Sequence, residues 1–253
     1  MLNVRVVKLG GNELDRPGWL ANSARALVRL DPVVVVHGGG RAISALSRRL
    51  GLPVERRDGL RVTTPEIAEV VELVLAGPAN RQVVAALRAA GLDAVGLSGV
   101  DGGLLTARAA PAELGLVGEI VDVRASLLES FILAGLTPVV APMAPPAGGG
   151  PPLNVNADDA AAAIAGALHA AELLLVSDVP GVRVDGVLQP VLETGDVEVL
   201  VEGGAAADGM AAKLRAAAAA LRAGAGAVRI GDWRMLEDSA AGTRLLAPTT
   251  QPA

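Results

Sequence analysis

The sequence of 253 residues predicts an α/β fold: an open, mainly parallel sheet sandwiched by helices (αβα). Three observations predict it. Short apolar runs rich in Val and Leu alternate with segments of helical apolar spacing. Val33-Val34-Val35-Val36 is apolar on both strand faces, as in a parallel strand covered on both sides. Two apolar runs end directly in glycine clusters, the place where α/β folds hold ligands.

Taken in order, Val4 to Leu9 is the first expected strand, and Gly10-Gly11 turn the chain. Pro17 marks the next helix, because its fixed φ and missing N–H suit a first turn. The four-valine strand ends in His37-Gly38-Gly39-Gly40, and Ile43, Leu46 and Leu50 follow at helical spacing. Thr64-Pro65 reads as an N-cap and first helical residue. Ile67, Val70, Val71, Val74 and Leu75 then form one apolar face, which Gly77-Pro78 is expected to stop. A further helix covers roughly Asn80 to Ala90, with strands at Ala94–Leu97 and Thr137–Ala141. Asp101-Gly102-Gly103 is a turn signal, and Ser126-Leu127-Leu128-Glu129 matches a capping box. Pro142 to Pro152, dominated by Pro and Gly, reads as a surface loop or a hinge. It separates an N-terminal part, 1–147, from a C-terminal part, 148–253. Beyond it, Asp158 to His169 is an alanine-rich helix and Leu173 to Val176 a buried strand. Asp185-Gly186 suggests a hairpin, Met210 to Ala223 is helical, and Val228 to Ile230 is another strand.

Composition narrows the function. A hydrophobic share of 51% supports a substantial core. A net charge of −5 and 1% aromatics argue against a nucleic-acid surface or a base-stacking platform. Apolar stretches are broken well before ~20 residues, and no signal-peptide pattern opens the chain, so no membrane role is expected. The absence of cysteine excludes disulfides, thiolate metal sites and cysteine nucleophiles. With two histidines, His37 and His169, a multi-histidine metal site is hard to build.

Lys8 and Lys213 are the only lysines among 22 basic residues; the rest are arginine. Lys8 opens Lys8-Leu9-Gly10-Gly11, and Lys213 follows Asp208-Gly209-Met210. A compact ammonium suits a phosphoryl group crowded by glycine backbone better than a broad guanidinium fork does. Glycines at Gly10, Gly11, Gly38 and Gly39 let backbone N–H groups approach phosphate oxygens. The spacing matches neither a P-loop nor a dinucleotide fingerprint. Arg61, on a turn after Asp58-Gly59, could hold a carboxylate, although taken alone it reads as a surface arginine. Asn154 or Asn156 caps the alanine-rich helix. Asp158, in its first turn, either complements the helix dipole or accepts from Lys8 and Lys213 and fixes both cations. Asp159 is expected to be exposed. Ser177-Asp178-Val179-Pro180-Gly181 is either a nucleotide wall or a tight turn, and Lys213 either faces a ligand or solvent. Trp233 and Arg234 read as structural or interfacial, His169 as a helix-end residue, and His37 receives no catalytic role.

These motifs occur in one order that resembles the amino-acid kinase family over nearly the whole chain, closest to its members that phosphorylate N-acetylglutamate. The resemblance implies the amino-acid kinase fold, with an amino-acid lobe at 1–147 and an ATP lobe at 148–253. It implies ATP-dependent phosphorylation of the γ-carboxylate of N-acetyl-L-glutamate, in arginine biosynthesis. It assigns Lys8 and Lys213 to the transferring phosphoryl group and Asp158 to organising them. Gly10, Gly11, Gly38 and Gly39 become backbone donors, and Arg61 and Asn154, with Gly38 and Gly39, hold the substrate. Ser177, Asp178, Val179, Gly181, Gly209 and Met210 become ATP-lobe residues, and Mg²⁺ is held mainly by phosphates and water. The first strand begins almost at Met1, so the resemblance is to short, arginine-insensitive, cytoplasmic homodimers. Sibling activities on the same pattern are a kinase for carrier-protein-linked α-aminoadipate or glutamate, and a non-catalytic amino-acid sensor.

Overall fold

Alternation along two central strands decides what each helix meets. In the computed structural model, residues 3–57, 59–204, 206 and 208–247 are described; Asp58, placed above at the turn before Arg61, lies outside them. The main sheet contains β1 (Arg5–Leu9), β2 (Val33–His37), β3 (Ala94–Ser98), β4 (Thr137–Ala141), β5 (Glu172–Val176), β6 (Val191–Glu193), β7 (Val228–Gly231) and β8 (Thr243–Leu246). Their order is β6-β8-β7-β5-β1-β2-β4-β3. The six from β7 to β3 are parallel, whereas β8 runs antiparallel to β7 and parallel to β6.

The helices are α1 (Trp19–Leu27), α2 (Gly40–Arg49), α3 (Pro65–Val74), α4 (Asn80–Ala90), α5 (Ala125–Leu133), α6 (Ala157–Ala167), α7 (Val197–Glu202) and α8 (Asp208–Arg222). Val6, Val34, Val36 and Val140 pack with α5, α6 and α8 on one face. Val7, Leu9, Val33 and Val35 pack with α1 and α4 on the other. Side chains alternate across a strand. Lys8 therefore emerges on the α6 face beside Val6, and His37 on the α4 face beside Val33 and Val35. Burial of each such Val or Leu contributes about 1.5–3 kcal/mol, so slipping β1 by one residue would bury Lys8 against α1 and α4 and is strongly disfavoured.

Several local expectations hold and others change. The Thr64 hydroxyl caps α3 by accepting from the Ile67 N–H. Gly77-Pro78 does not stop this helical stretch: a single π-turn over Leu75–Ala79 kinks it at Gly77, and α4 continues from Asn80. Pro65–Ala90 is long and apolar enough to cross a membrane, yet Ile67, Val70, Val71 and Val74 pack into the protein core. Ser126 is not a cap. The Arg124 N–H is bonded to the Leu104 carbonyl, which anchors the chain earlier, and α5 starts at Ala125 without a side-chain cap.

The sequence reading missed a second sheet, made of segments 105–109, 117–123, 153–155 and 143–144 in that spatial order. Pro142 to Pro152 belongs to it. Met143–Ala144 pairs with Leu153–Val155, and Ala107 exchanges backbone bonds with Pro145 and Ala147. Segments 143–144 and 153–155 are too short for period-2 patterning to develop, and 117–123 (VGEIVDV) does not alternate cleanly. The sheet sets Asn154 opposite Val117 and delivers the chain directly into α6.

α6 and α8 touch through small residues. A Cβ on Gly166 would lie 2.4 Å from the Ala223 Cβ. Gly166→Val is expected to destabilise the fold by roughly 1–3 kcal/mol through overpacking, read as a lower urea midpoint with an unchanged slope. A midpoint equal to the wild type would show that the two helices are not in firm contact.

Candidate active site

A cavity of about 400 Å³ opens where β1 and β2 end. Leu9 and His37, the last residues of these paired strands, are in register, so the bends Gly10-Gly11 and Gly38-Gly39 meet. Their approach demands glycine: a Cβ on Gly11 would sit 2.3 Å from the Gly39 nitrogen and 2.4 Å from the Gly38 carbonyl carbon. Gly39 is the N-cap of α2, with no side chain capping that terminus. The positive end of the α2 dipole thus sits beside the cavity.

Lys8 leaves β1 toward α6 and meets Asp158 in its first turn; Nζ lies 2.9 Å from Oδ1. Lys213, from α8, places its Nζ 3.0 Å from Oδ2 of the same carboxylate. All three side chains are largely buried, at 7% exposure for Lys8 and Asp158 and 12% for Lys213. Burial would raise the Asp158 carboxyl, but the two ammonium groups hold it below the ordinary carboxylate value. Burial pushes the Lys8 ammonium down; Asp158 offsets part of this and Lys213 adds to it. The cluster carries one net positive charge and lines the cavity. Of the two cap candidates, Asn156 caps α6 by accepting from the Asp158 N–H.

Arg61 is not the surface residue that its isolated turn suggested. It is buried at 6% exposure, with Nη2 bonded to the Gly40 carbonyl and the Ser44 hydroxyl. Its Nη1 is buried with no partner, in a side chain that lines the cavity. Burial, with Arg56 and Arg48 nearby, lowers its pKa to about 10, so it stays cationic at neutral pH. Asn154 donates from Nδ2 to the Thr63 hydroxyl, which in turn donates to the Arg61 carbonyl. Arg61, Thr63 and Asn154 of the second sheet are thereby linked in one chain of hydrogen bonds.

Ser177, Asp178, Val179, Gly209 and Met210 line the same cavity. Asp178 is exposed, 3.6 Å from Arg16. Gly181 is placed elsewhere: it is not among the lining residues, and a Cβ there would meet Thr243 and Leu188. It shapes the turn against β8 rather than the cavity wall.

Glu13, Asn12 and Arg56 also line the cavity and were not singled out from sequence. Glu13 is buried at 4% exposure; burial raises its carboxyl, Asp178 adds to this, and Lys8 and Arg16 oppose it. Its spacing of three residues after Gly10 was the only available sign, and the backbone bond from the Glu13 N–H to the Gly10 carbonyl explains it.

Asp159 is exposed, as expected, yet lies at the edge of an alanine-lined hollow. The apolar surroundings, with Asp158 and Glu119 adding like charge, raise its pKa from 3.8 to about 6. A carboxyl raised on folding contributes stability that is complete below the unfolded pKa and is lost as pH rises through the folded one. Asp159→Asn is therefore expected to become progressively more stabilising, relative to wild type, between about pH 4 and pH 6, and level above. Thermal melts across that range would refute this if the difference stayed constant.

The amino acid kinase family model matches residues 3–232. The acetylglutamate kinase of Chloroflexus aurantiacus is 46% identical over 221 residues, covering 86% of this chain and 87% of that protein. That of Geobacillus kaustophilus is 44% identical over 215 residues, covering 84% and 83%. Among solved structures, smu.665 from Streptococcus mutans superposes with a TM-score of 0.84 at 29% identity, covering 92% of this chain and 96% of that one. Giardia lamblia carbamate kinase bound to AMP-PNP shares the fold, with a TM-score of 0.74 at 15% identity and coverage of 97% and 99%. With a parallel sheet, the Lys8–Asp158–Lys213 cluster and these likenesses together, the chain belongs to the amino acid kinase family.

Proposed function

We propose that this chain is an ATP-dependent kinase that phosphorylates the γ-carboxylate of N-acetyl-L-glutamate to an acyl phosphate, in arginine biosynthesis. The observation that carries the reading is the pair of buried ammonium groups on one carboxylate, facing a glycine-walled cavity that also holds an unpartnered arginine nitrogen. The relatives named acetylglutamate kinase supply the substrate.

The chemistry follows from charge. The acceptor carboxylate is an anion at neutral pH, so it attacks the γ-phosphorus without surrendering a proton. No general base is needed, consistent with a cavity lined by neither Cys nor His. What remains is positioning two anions against their repulsion and stabilising charge on the transferring group. Lys8 and Lys213 flank that group, while Gly10, Gly11, Gly38 and Gly39 supply backbone donors. Asp158 holds both lysines in place without cancelling their charge. Arg61 grips a substrate carboxylate through its free Nη1, and Asn154 borders the amide. Ser177, Asp178, Val179, Gly209 and Met210 form the ATP side.

Mg²⁺ belongs to this reading. Two carboxylates, Glu13 and Asp178, line the cavity beside the glycine bends. A hard-oxygen pair of this kind fits an ion bound mainly by phosphates and water, which would neutralise phosphate charge. Residues 1–147 as the amino-acid lobe, 148–253 as the ATP lobe, a homodimer and a cytoplasmic location complete the proposal, on the strength of the family resemblance alone.

A coupled ADP-release assay across N-acetylglutamate, free glutamate, aspartate and carrier-linked α-aminoadipate tests the substrate. N-acetylglutamate is expected to be preferred; preference for the carrier-linked acid, or no ADP release at all, would reject it. Lys8→Arg is expected to lose about 10²–10³ in kcat although charge is kept, because the longer, planar fork would pair with Asp158 and crowd the glycine bends instead of presenting a compact charge to the phosphoryl group. Near-normal turnover would remove Lys8 from the phosphoryl group. Arg61→Ala is expected to raise KM for the amino-acid substrate about tenfold or more, with the ATP KM nearly unchanged. The opposite pattern would reverse the assignment of the two ends.

A further inference from the structure

His37 closes β2 on the α4 face, immediately before the Gly38-Gly39 bend, and its ring is fully buried. Nδ1 lies 3.0 Å from the Gly38 carbonyl oxygen. Nε2 lies 3.1 Å from Asn80 Nδ2, contributed by the first residue of α4. The same Asn80 nitrogen is 2.9 Å from the Val139 carbonyl and 3.4 Å from that of Leu97. An atom facing two carbonyl oxygens is a donor, which fixes the orientation of the amide. Its two N–H groups serve the Val139 carbonyl and Nε2, with the more distant Leu97 carbonyl sharing one of them, so Nε2 is unprotonated and the imidazole proton resides on Nδ1. Nδ1–H then donates to the Gly38 carbonyl. Burial pushes the ring's pKa to about 4, which keeps it neutral under working conditions.

The network has a built socket. A Cβ on Gly96, in β3, would sit 1.9 Å from Asn80 Oδ1, so the amide fits only because that strand residue is glycine. Strands β2, β3 and β4 and helix α4 thus converge on one peptide carbonyl. A trans peptide points its C=O and N–H in opposite directions. Drawing the Gly38 carbonyl toward the buried ring turns the Gly39 N–H away from it, on a residue that lines the cavity. Among the described residues, no backbone acceptor engages that N–H.

We infer that His37, held in its Nδ1–H form by Asn80, is a positioning residue that fixes the Gly38–Gly39 peptide so that the Gly39 N–H is presented to the transferring phosphoryl group. The role rests on the phosphoryl-transfer reading above. It needs no contact between the imidazole and substrate. It gives the His37 beside the glycines a task that its buried, neutral ring can perform.

Two measurements on the full chain test it. The chain has two histidines, so ¹⁵N spectra of the imidazoles are simple to assign with one His37 variant. At neutral pH His37 is expected as a neutral ring protonated on Nδ1; an Nε2–H tautomer or a charged ring overturns the inference. In kinetics, folded His37→Phe is expected to lose up to about 100-fold in kcat with a small change in the ATP KM, as a misplaced donor should. His37→Asn places a side-chain N–H where Nδ1–H stood and is expected to recover part of that loss. A folded His37→Phe with wild-type kcat, or no rescue by Asn, overturns it. Should His37→Phe fail to fold, Asn80→Ala read by the same tautomer spectrum and kcat decides: the tautomer and kcat are expected to change together. A wild-type chain that turns over no acid substrate defeats the kinase reading, and the tautomer result then stands apart from it.

Discussion

One carboxylate shared by two ammonium groups is the constraint on which this molecule turns. Asp158 lies in the first turn of α6, Lys8 on β1 and Lys213 on α8, so a single buried anion ties a central strand to two helices. Breaking a buried charge set by removing one partner typically costs about 3–5 kcal/mol. The set is therefore a packing element as well as a chemical one. Its stoichiometry also matters. Two positive charges on one negative leave an excess that an anionic phosphoryl group can satisfy, in a setting where water is largely displaced and fields are strong.

The rest of the cavity serves that excess charge. Backbone approach between the two glycine bends is closer than any Cβ permits, so the donors there come without side-chain bulk. Arg61 keeps one nitrogen unsatisfied although buried, an arrangement that is unfavourable unless an acceptor arrives. Its other terminal nitrogen is tied to α2, and its carbonyl is tied through Thr63 to Asn154 on the second sheet. Glu13 and Asp178 add two carboxyl groups to the same lining, close to Lys8 and Arg16. His37 and Asn80 work from behind the wall, on the opposite face of the main sheet from Lys8.

Much of this was readable one residue at a time. The two lysines stood out against twenty arginines, and the glycine pairs directly after apolar runs placed them at strand ends. The β1 and β2 strands and the α3, α4, α6 and α8 helices are long or strongly patterned, and their expected limits lie within a few residues of those observed. Strands β6 and β8 and the second sheet escaped because their residues are stabilised by pairing partners distant in sequence, not by their own periodicity. Taken alone, the Arg61 turn read as a surface position for the same reason: nothing near it in the chain reveals its bonds to Gly40 and Ser44 of α2.

Local chemistry in the chain was sufficient for strand type, the Thr64 helix cap, and the kind of ligand that glycine bends and lysines suit, and it narrowed the α6 cap to Asn154 or Asn156. Those features depend on neighbours within a few positions, where backbone sterics and side-chain reach are decisive. Distance in the chain conceals the remainder. Asp158 meets Lys213 across 55 residues and Asn80 meets His37 across 43. Which nitrogen of His37 carries its proton, which arginine nitrogen stays free and where Gly181 turns are settled by packed helices and strand order, because burial and partner geometry exist once the sheet has assembled.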